Sequence, residues 1–282
     1  MGNLIWLASF PKSGNTWFRV FLSNLLPRRQ LPVEINALEM IGMASSRKLF
    51  DEHCALHSAE LSMDEVDDLR AHVFDSISAQ TRGSLFFKIH DARFNTRGGR
   101  PLVPASATRA AVYFIRNPLD VAVSFAHHST ISLDASIDAL NDPQHAYAAT
   151  TDRLHVQLRQ HLGSWSAHVR SWTEQVDFPL HVVRYEDMLA TPLLTFAAII
   201  EFLQIERSDA EVRRAIDFSH IDELKRQEAL IDFKEKKHAS GARFFRQGSS
   251  GGWRDALTPA QVARVIDHHR EVMAKFGYLD AI

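Results

Sequence analysis

The stretch Leu4–Trp17, LIWLASFPKSGNTW, most narrows what this chain can fold into. Leu4 to Phe10 is a short, mostly apolar run of a length that suits a buried strand. Pro11, Ser13, Gly14 and Asn15 break it. From Trp17 to Leu26 the apolar positions return at helical spacing, with Trp17, Val20, Phe21 and Leu25 sharing roughly one face. The pattern reads as strand, tight loop and helix. A loop in that position aims backbone N–H groups and the positive end of a helix at whatever lies above it, which makes an anion site. Lys12 adds a mobile cation, while Ser13 and Thr16 add hydroxyl donors. The chemistry that fits is a phosphate or a phosphate-like group. A nucleoside-triphosphate loop, G-x-x-x-x-G-K-[ST], fits poorly, because Lys12 comes before Gly14 and no glycine precedes it in the strand. An ordinary strand–helix turn with one surface lysine would carry the same local pattern.

Further strands are expected at Leu85–Ile89 (LFFKI), Ala110–Ile115 (AAVYFI) and His181–Tyr185 (HVVRY). Helices alternate with them. Ser62 with Glu65 forms a capping box ahead of Val66, Leu69, Val73 and Ile77. Asn117 as N-cap and Pro118 at the first helical position start a helix through about His127. Leu154, Leu158, Leu162, Trp165, Val169 and Trp172 mark one stripe of a long helix, the two tryptophans reading as core rather than as a ligand cage. Helices follow from Pro192 to Leu203 and after Ser208, and Thr258 with Gln261 caps a last helix that Gly277 ends. The fold class is therefore α/β, a single domain over residues 1–282 with a central parallel sheet flanked by helices. Pro27–Ser58, Thr96–Ser106, Asp134–Asp152 and the charge- and glycine-rich Asp232–Gly252 read as loops or surface insertions.

In parallel sheets ligands sit at the carboxyl ends of the strands. Three polar clusters fall there: Lys12, the Lys88/His90 pair, and Arg116. Lys88 and His90 flank Ile89 and so point to one face, where the histidine beside a lysine becomes a candidate base. Arg116 presents a fork suited to phosphate next to the helix start at Pro118, and Ser124 lies two turns further on the same face. An arginine paired with a carboxylate at a strand end is the alternative for that cluster.

Composition closes other routes. With 32 Lys+Arg against 34 Asp+Glu the net charge is −2, so no basic field recommends a nucleic-acid partner. The single cysteine, Cys54, allows no intrachain disulfide and fits a reducing, cytoplasmic setting. No basic segment with a long apolar stretch opens the chain and no run of about 18 apolar residues occurs, so neither a signal peptide nor a membrane span is expected.

PKSGNTW resembles the 5′-phosphosulfate loop, commonly PKSGTTW, of the sulfotransferases that use 3′-phosphoadenosine 5′-phosphosulfate (PAPS), with Asn15 in place of a threonine. RNPLDVAVS, Arg116 to Ser124, is similar to the family's 3′-phosphate segment RNPxDVAVS. FFRQG through Trp253 resembles its R-K-G-x-x-G-D-W segment, with Gln247 replacing lysine and Gly252 replacing aspartate. K-x-H at Lys88–His90 and RYEDM at Tyr185 also match family positions. The resemblance implies a P-loop-like sulfotransferase fold and PAPS as co-substrate, with no metal. By it, Lys12, Ser13, Gly14, Asn15 and Thr16 bind the 5′ end, and Arg116, Ser124, Arg246 and Gly248 the 3′-phosphate. Trp17, Tyr185 and Ser219 lie near adenine. His90 is the general base, assisted by Lys12 and Lys88. The acceptor implied is a small molecule or glycan presenting a hydroxyl or amine. The dimer segment K-x-x-x-T-V-x-x-x-E of the animal cytosolic enzymes is not kept at Arg254–Ala263, so that dimer is not expected. A nucleoside-triphosphate-dependent kinase and a non-catalytic nucleotide-binding module remain the competing readings.

Overall fold

The computed structural model describes residues 2–38, 40–174, 177–235 and 243–280. Its central strand is β1 (Leu4–Ser9), every residue of which is buried. With β2 (Ile41–Met43), β3 (Leu85–Ile89), β4 (Thr108–Ile115) and β7 (Leu180–Arg184) it forms a five-stranded parallel sheet in the order β2–β3–β1–β4–β7. β5 (Ala146–Tyr147) and β6 (Gln160–His161) make a separate antiparallel pair. β1 and β3 run in register from Leu4 beside Leu85 to Ala8 beside Ile89, so both chains leave the sheet at the same level. The α/β fold with a parallel sheet is the one the alternating pattern predicts.

Contacts divide the chain into two compact units. The first comprises Met1–Phe10, Ile41–Tyr113 and Asn141–Val182. It holds the body of the sheet with helices α2 (Arg47–His53), α3 (Met63–Gln80) and α6 (Trp165–Thr173). Trp6 anchors it: the indole N–H donates to Thr108 Oγ1 at 2.8 Å, and the ring meets Phe74 of α3 edge-on at 5.0 Å. Tyr113 stacks on Trp172 of α6 at 6.0 Å.

The second unit comprises Pro11–Met40, Phe114–Leu140 and Val183–Ile282. It holds α1 (Asn15–Leu25), α4 (Pro118–Ser129), most of α5 (Leu133–Asn141), α7 (Tyr185–Ala190), α8 (Pro192–Phe202), α9 (Asp209–Phe218), α10 (Ile221–Glu228), α11 (Trp253–Ala256) and α12 (Pro259–Lys275). Phe18 and Phe21 of α1 pack on Phe196 of α8 with ring centroids 5.8 and 4.5 Å apart. Val20, Val33, Ile35, Leu38, Leu224, Phe233 and Phe245 form a second apolar cluster in this unit. Among the described residues no helix is long and apolar enough to cross a membrane.

The capped helices stand where their caps predict. Ser62 and Glu65 close a capping box on α3, Asn117 Oδ1 accepts from Leu119 N ahead of Pro118, and Thr258 with Gln261 caps α12. Both Trp165 and Trp172 are core residues, buried in the first unit.

Three expectations are corrected. The stripe from Leu154 to Trp172 is not one helix. Gly163 adopts φ +63°, Ser164 caps the chain by accepting from Ala167 N, and α6 begins only at Trp165. Leu158 and Leu162 are buried from extended chain, and Leu154 is 64% exposed. Apolar spacing of three or four recurs by chance in a winding segment, and here it did. Asp134–Asp152 is not all surface insertion, since α5 starts at Leu133 and buries Ile137 and Leu140 completely. Pro27–Ser58 contains both β2, too short to show alternation, and α2, capped by Ser46. Part of Asp232–Gly252 lies outside the described residues.

The segment after β3 is held by buried charge. Arg70 donates to the two carboxylate oxygens of Asp91 at 3.1 and 2.8 Å, and neither side chain is more than 1% exposed. Asp91 also accepts from His161 N at 3.1 Å. Replacing Arg70 by alanine strands a buried carboxylate, which should cost about 3–5 kcal/mol of unfolding free energy in urea denaturation. A loss under about 1 kcal/mol would show that the pair contributes little to the fold.

Candidate active site

The loop between β1 and α1 supplies the first half of an anion cradle in the second unit. Lys12 has φ +72° and Gly14 φ +99°, so the backbone turns sharply in the left-handed region before α1 starts. Gly14 is the N-cap of α1 and no side chain caps the helix, whose positive end points out of this turn. Only glycine fits there, for two reasons. The φ value excludes most side chains, and a Cβ on Gly14 would lie 2.7 Å from Cδ2 of the Tyr185 ring. Ser13 is 1% exposed and its Oγ has no hydrogen-bond partner in the structure. A buried hydroxyl left unmatched costs free energy unless something else matches it. Trp17 Nε1 and Arg116 Nε are in the same condition. These orphaned donors fit an anionic ligand carrying several oxygens.

Arg116 leaves the end of β4 and donates to two carbonyls, Lys12 O at 3.2 Å and Ser249 O at 3.0 Å, while its guanidinium lies 4.3 Å from the Tyr185 ring centroid. Among the described residues no carboxylate pairs with Arg116 or with Arg246. The carboxylate-paired alternative for Arg116 is therefore not what forms. Burial, and next the Arg116 charge, hold Arg246 below the usual arginine range. Arg246 therefore feels the Arg116 charge directly. His127, one turn beyond Ser124 on α4, is pushed down by burial and then by Arg246. Lys12 Nζ lies 4.1 Å from the centroid of the Phe244 ring.

Carboxylates build this cationic pocket from outside. Asp120 accepts from Gly251 N at 2.8 Å and Trp253 N at 3.3 Å, which ties the glycine-rich segment to the first turn of α4. Glu228 accepts from Phe244 N at 2.6 Å and Phe245 N at 2.9 Å, which fixes the approach to Arg246. Glu186 accepts from Asn117 N at 3.0 Å and from the Tyr278 hydroxyl at 3.1 Å. Burial pushes its carboxyl up, against the pull of the Asn117 N–H. None of these three acids, nor His127, was singled out from the sequence. The usable signal was spacing: Asp120 lies four residues before Ser124 and His127 three after it, on one helical face.

The structure thus brings Lys12, Ser13, Gly14, Arg116, Tyr185 and Arg246 together. Trp17 meets Tyr185 edge-on at 6.1 Å while its other contacts, to Phe196 at 5.3 Å, belong to the core. Gly248 packs directly on Ile221. Asn15 is buried, Thr16 and Ser124 are half-buried on their helices. Ser219 is a correction. It is fully buried at the end of α9 and its hydroxyl donates to Ile216 O at 3.0 Å, so it does not offer that hydroxyl to a ligand.

The candidate base lies in the first unit. His90 follows the last residue of β3, and Lys88, Ile89 and His90 alternate half-buried, buried, half-buried, as expected for one shared face. His90 Nδ1 is 2.8 Å from the Ser9 carbonyl and 3.2 Å from Ser9 Oγ. A carbonyl only accepts, so Nδ1 carries the proton and the ring's lone pair is on Nε2. Ser9 is three residues upstream of Lys12 in the chain.

A family model described as "Sulfotransferase domain" matches residues 3–277. Cytosolic sulfotransferase 17 of Arabidopsis thaliana is 24% identical over 302 residues, covering 99% of this chain and 77% of that one. Amine sulfotransferase of Oryctolagus cuniculus is 31% identical over 173 residues, covering 58% of this chain and 54% of its own, so that match spans about half of the relative. Among solved structures, mouse sulfotransferase SULT7A1 complexed with PAP superposes with a TM-score of 0.60 at 22% identity, covering 96% of this chain and 84% of that chain. Retinol dehydratase in complex with androsterone and inactive cofactor PAP gives 0.64 at 18% identity, covering 96% and 80%.

Gly14→Ala tests the cradle. The left-handed backbone costs about 1–2 kcal/mol for a side-chain-bearing residue, before the clash with Tyr185 is added. Chemical denaturation should show a loss of at least that size, and binding of adenosine 3′,5′-bisphosphate by calorimetry should fall with it. A variant as stable as the parent would mean that the loop relaxes freely.

Proposed function

The chain belongs to the sulfotransferase family, and from that premise we propose that it transfers the sulfuryl group of PAPS to a hydroxyl or amine of a small-molecule or glycan acceptor, with His90 as general base. What supports the reading is that Arg246 feels the Arg116 charge, beside a helix start whose buried Ser13 hydroxyl is unmatched. A doubly phosphorylated adenosine matches that charge pattern at both its ends.

The N–H groups of the α1 start, with Ser13, Asn15 and Thr16, would hold the 5′ end, and Arg116, Arg246, Ser124 and Gly248 the 3′-phosphate. Trp17 and Tyr185 would flank the base. When bound, PAPS supplies a sulfuryl group whose bond to the 5′-phosphate breaks as a new bond to the acceptor oxygen or nitrogen forms. His90 Nε2 takes the acceptor's proton. Lys12 sets its charge against the anion developing on the departing phosphate, and Lys88 sets its own toward the sulfuryl oxygens. Positioning and fixed charge carry such a reaction, as they do in phosphoryl transfer. The loops read from the sequence would wall the acceptor, and a relative named as an amine sulfotransferase together with the androsterone complex of a structural neighbour motivates small organic acceptors.

Binding and turnover test this separately. Adenosine 3′,5′-bisphosphate should bind in the absence of metal, and Arg116→Ala and Arg246→Ala should each weaken it by about 10- to 100-fold, the worth of a charge-assisted contact. ³⁵S-labelled PAPS offered with a panel of phenols, sterols, amines and sugars should label product with the parent protein. His90→Ala should label none while keeping nucleotide affinity. Magnesium-dependent ATP binding with no affinity for the bisphosphate would favour a kinase instead. Undiminished labelling by His90→Ala would remove the base assignment.

A further inference from the structure

We infer that Tyr113 and His168 are positioning residues for His90, joined to it by a closed circuit of hydrogen bonds that runs through the Ser9–Phe10 peptide. The inference rests on the reading of His90 as the base. His90 Nδ1–H donates to the Ser9 carbonyl at 2.8 Å. The same peptide group's other end, Phe10 N–H, donates to the Tyr113 hydroxyl oxygen. Tyr113 is 2.8 Å from His168 Nδ1, and His168 Nε2 is 3.0 Å from the His90 carbonyl. All five residues belong to the first unit, near the ends of β1, β3 and β4 and on α6.

The direction of every bond follows from one fact. The His90 carbonyl can only accept, so His168 Nε2 must carry the proton. A neutral imidazole then has its lone pair on Nδ1, so Tyr113 must donate to it, and the Tyr113 oxygen is left to accept from Phe10 N–H. Burial drives His168 down to about 4 against the His90 carbonyl's pull, and burial drives the Tyr113 hydroxyl well up. Both groups therefore stay neutral across the working range, and the circuit keeps one polarity. Both are fully buried, with no route to an acceptor or nucleotide, so they act through His90 or on the fold alone.

Two consequences reach the base. Drawing on Phe10 N–H polarises the shared peptide, which strengthens the Ser9 carbonyl as acceptor for His90 Nδ1–H and makes Nε2 more basic. The bond to the His90 carbonyl also fixes the backbone that carries the ring. Its neighbour on α6, Trp172, donates from Nε1 to the Asp91 carbonyl at 3.0 Å, and Ser171 Oγ accepts from Arg93 N at 2.9 Å. One face of α6 thus holds consecutive backbone groups after β3. Charged groups beside this segment include the Arg70–Asp91 pair, whose carboxylate also accepts from the His161 backbone N–H, and Arg93, which pairs with Asp177.

Tyr113→Phe, His168→Leu and His168→Gln, all bound to adenosine 3′,5′-bisphosphate, test the circuit by ¹⁵N NMR of the His90 ring. The parent should show a slowly exchanging, downfield Nδ1–H. Tyr113→Phe and His168→Leu should lose that signal and titrate at lower pH, with transfer from labelled PAPS falling about tenfold or more and nucleotide affinity within about twofold of the parent. His168→Gln, which keeps an N–H at the Nε2 position, should recover part of both signal and rate. If His168→Leu does not fold, the other two variants decide. Folded variants with the parent's Nδ1–H resonance and titration would overturn the inference, even where His90→Ala is inactive. An active His90→Ala would instead remove the base reading beneath it.

Discussion

The turn out of β1 sets the terms for everything else in this molecule. Within six residues the chain passes from a wholly buried strand, through Lys12 and Gly14 in left-handed conformations, into a helix that opens with no side-chain cap. That geometry costs free energy twice, in backbone strain and in a buried Ser13 hydroxyl without a hydrogen-bond partner. Such a cost persists only where the surroundings hold it in place. Tyr185 does so directly, with its ring against the Gly14 backbone and its face under the Arg116 guanidinium. The loop, the arginine and the aromatic ring are one assembly, and each loses its reason without the others.

Acidic residues hold the backbone around the cationic cluster in place. Lys12, Arg116 and Arg246 would repel one another in a chain with no overall excess of base, and the net charge of −2 gives no help. The solution is to spend carboxylates on backbone N–H groups one layer out. Asp120, Glu186 and Glu228 each take two donors, counting the Tyr278 hydroxyl, and so satisfy themselves without pairing the arginines. The Arg116 guanidinium turns instead to the Lys12 and Ser249 carbonyls and the Tyr185 ring.

What was legible in the sequence was whatever is decided locally. Strand cores, capping boxes and the Asn117–Pro118 helix start depend on neighbours within four residues, and all appear where the pattern puts them. Lys12 and Arg116 were legible for a related reason, since each follows the end of a strand, β1 and β4, and the Arg116 guanidinium donates to the Lys12 carbonyl. Failures came where long-range contact decides. Leu158 and Leu162 are buried from extended chain because they meet the rest of the first unit, not because they share a helix with Trp165. β2 exists because β3 offers it an edge. Glu228 serves Phe244 and Phe245 across a loop, a pairing no periodicity announces. Ser219 went the other way, a hydroxyl that a motif suggested for a ligand and the end of α9 consumed.

The departures from the family pattern are themselves connected. Gln247 stands where the related segment has lysine, and Gly252 where it has aspartate. In the structure Gln247 Oε1 lies 3.0 Å from the point a Cβ on Gly252 would occupy, closer than a side chain tolerates without displacing its neighbour. The two changes therefore read as one. Loss of the aspartate removes an acid from the segment that carries Arg246, and loss of the lysine removes a cation of the same segment, so its charge balance is unchanged while the amide fills the vacated space. The fixing role falls to Asp120, which already holds the N–H groups of Gly251 and Trp253 on either side of Gly252. A neutral side chain at position 247 adds no further cation beside Arg246, which burial and next the Arg116 charge already hold below the usual arginine range.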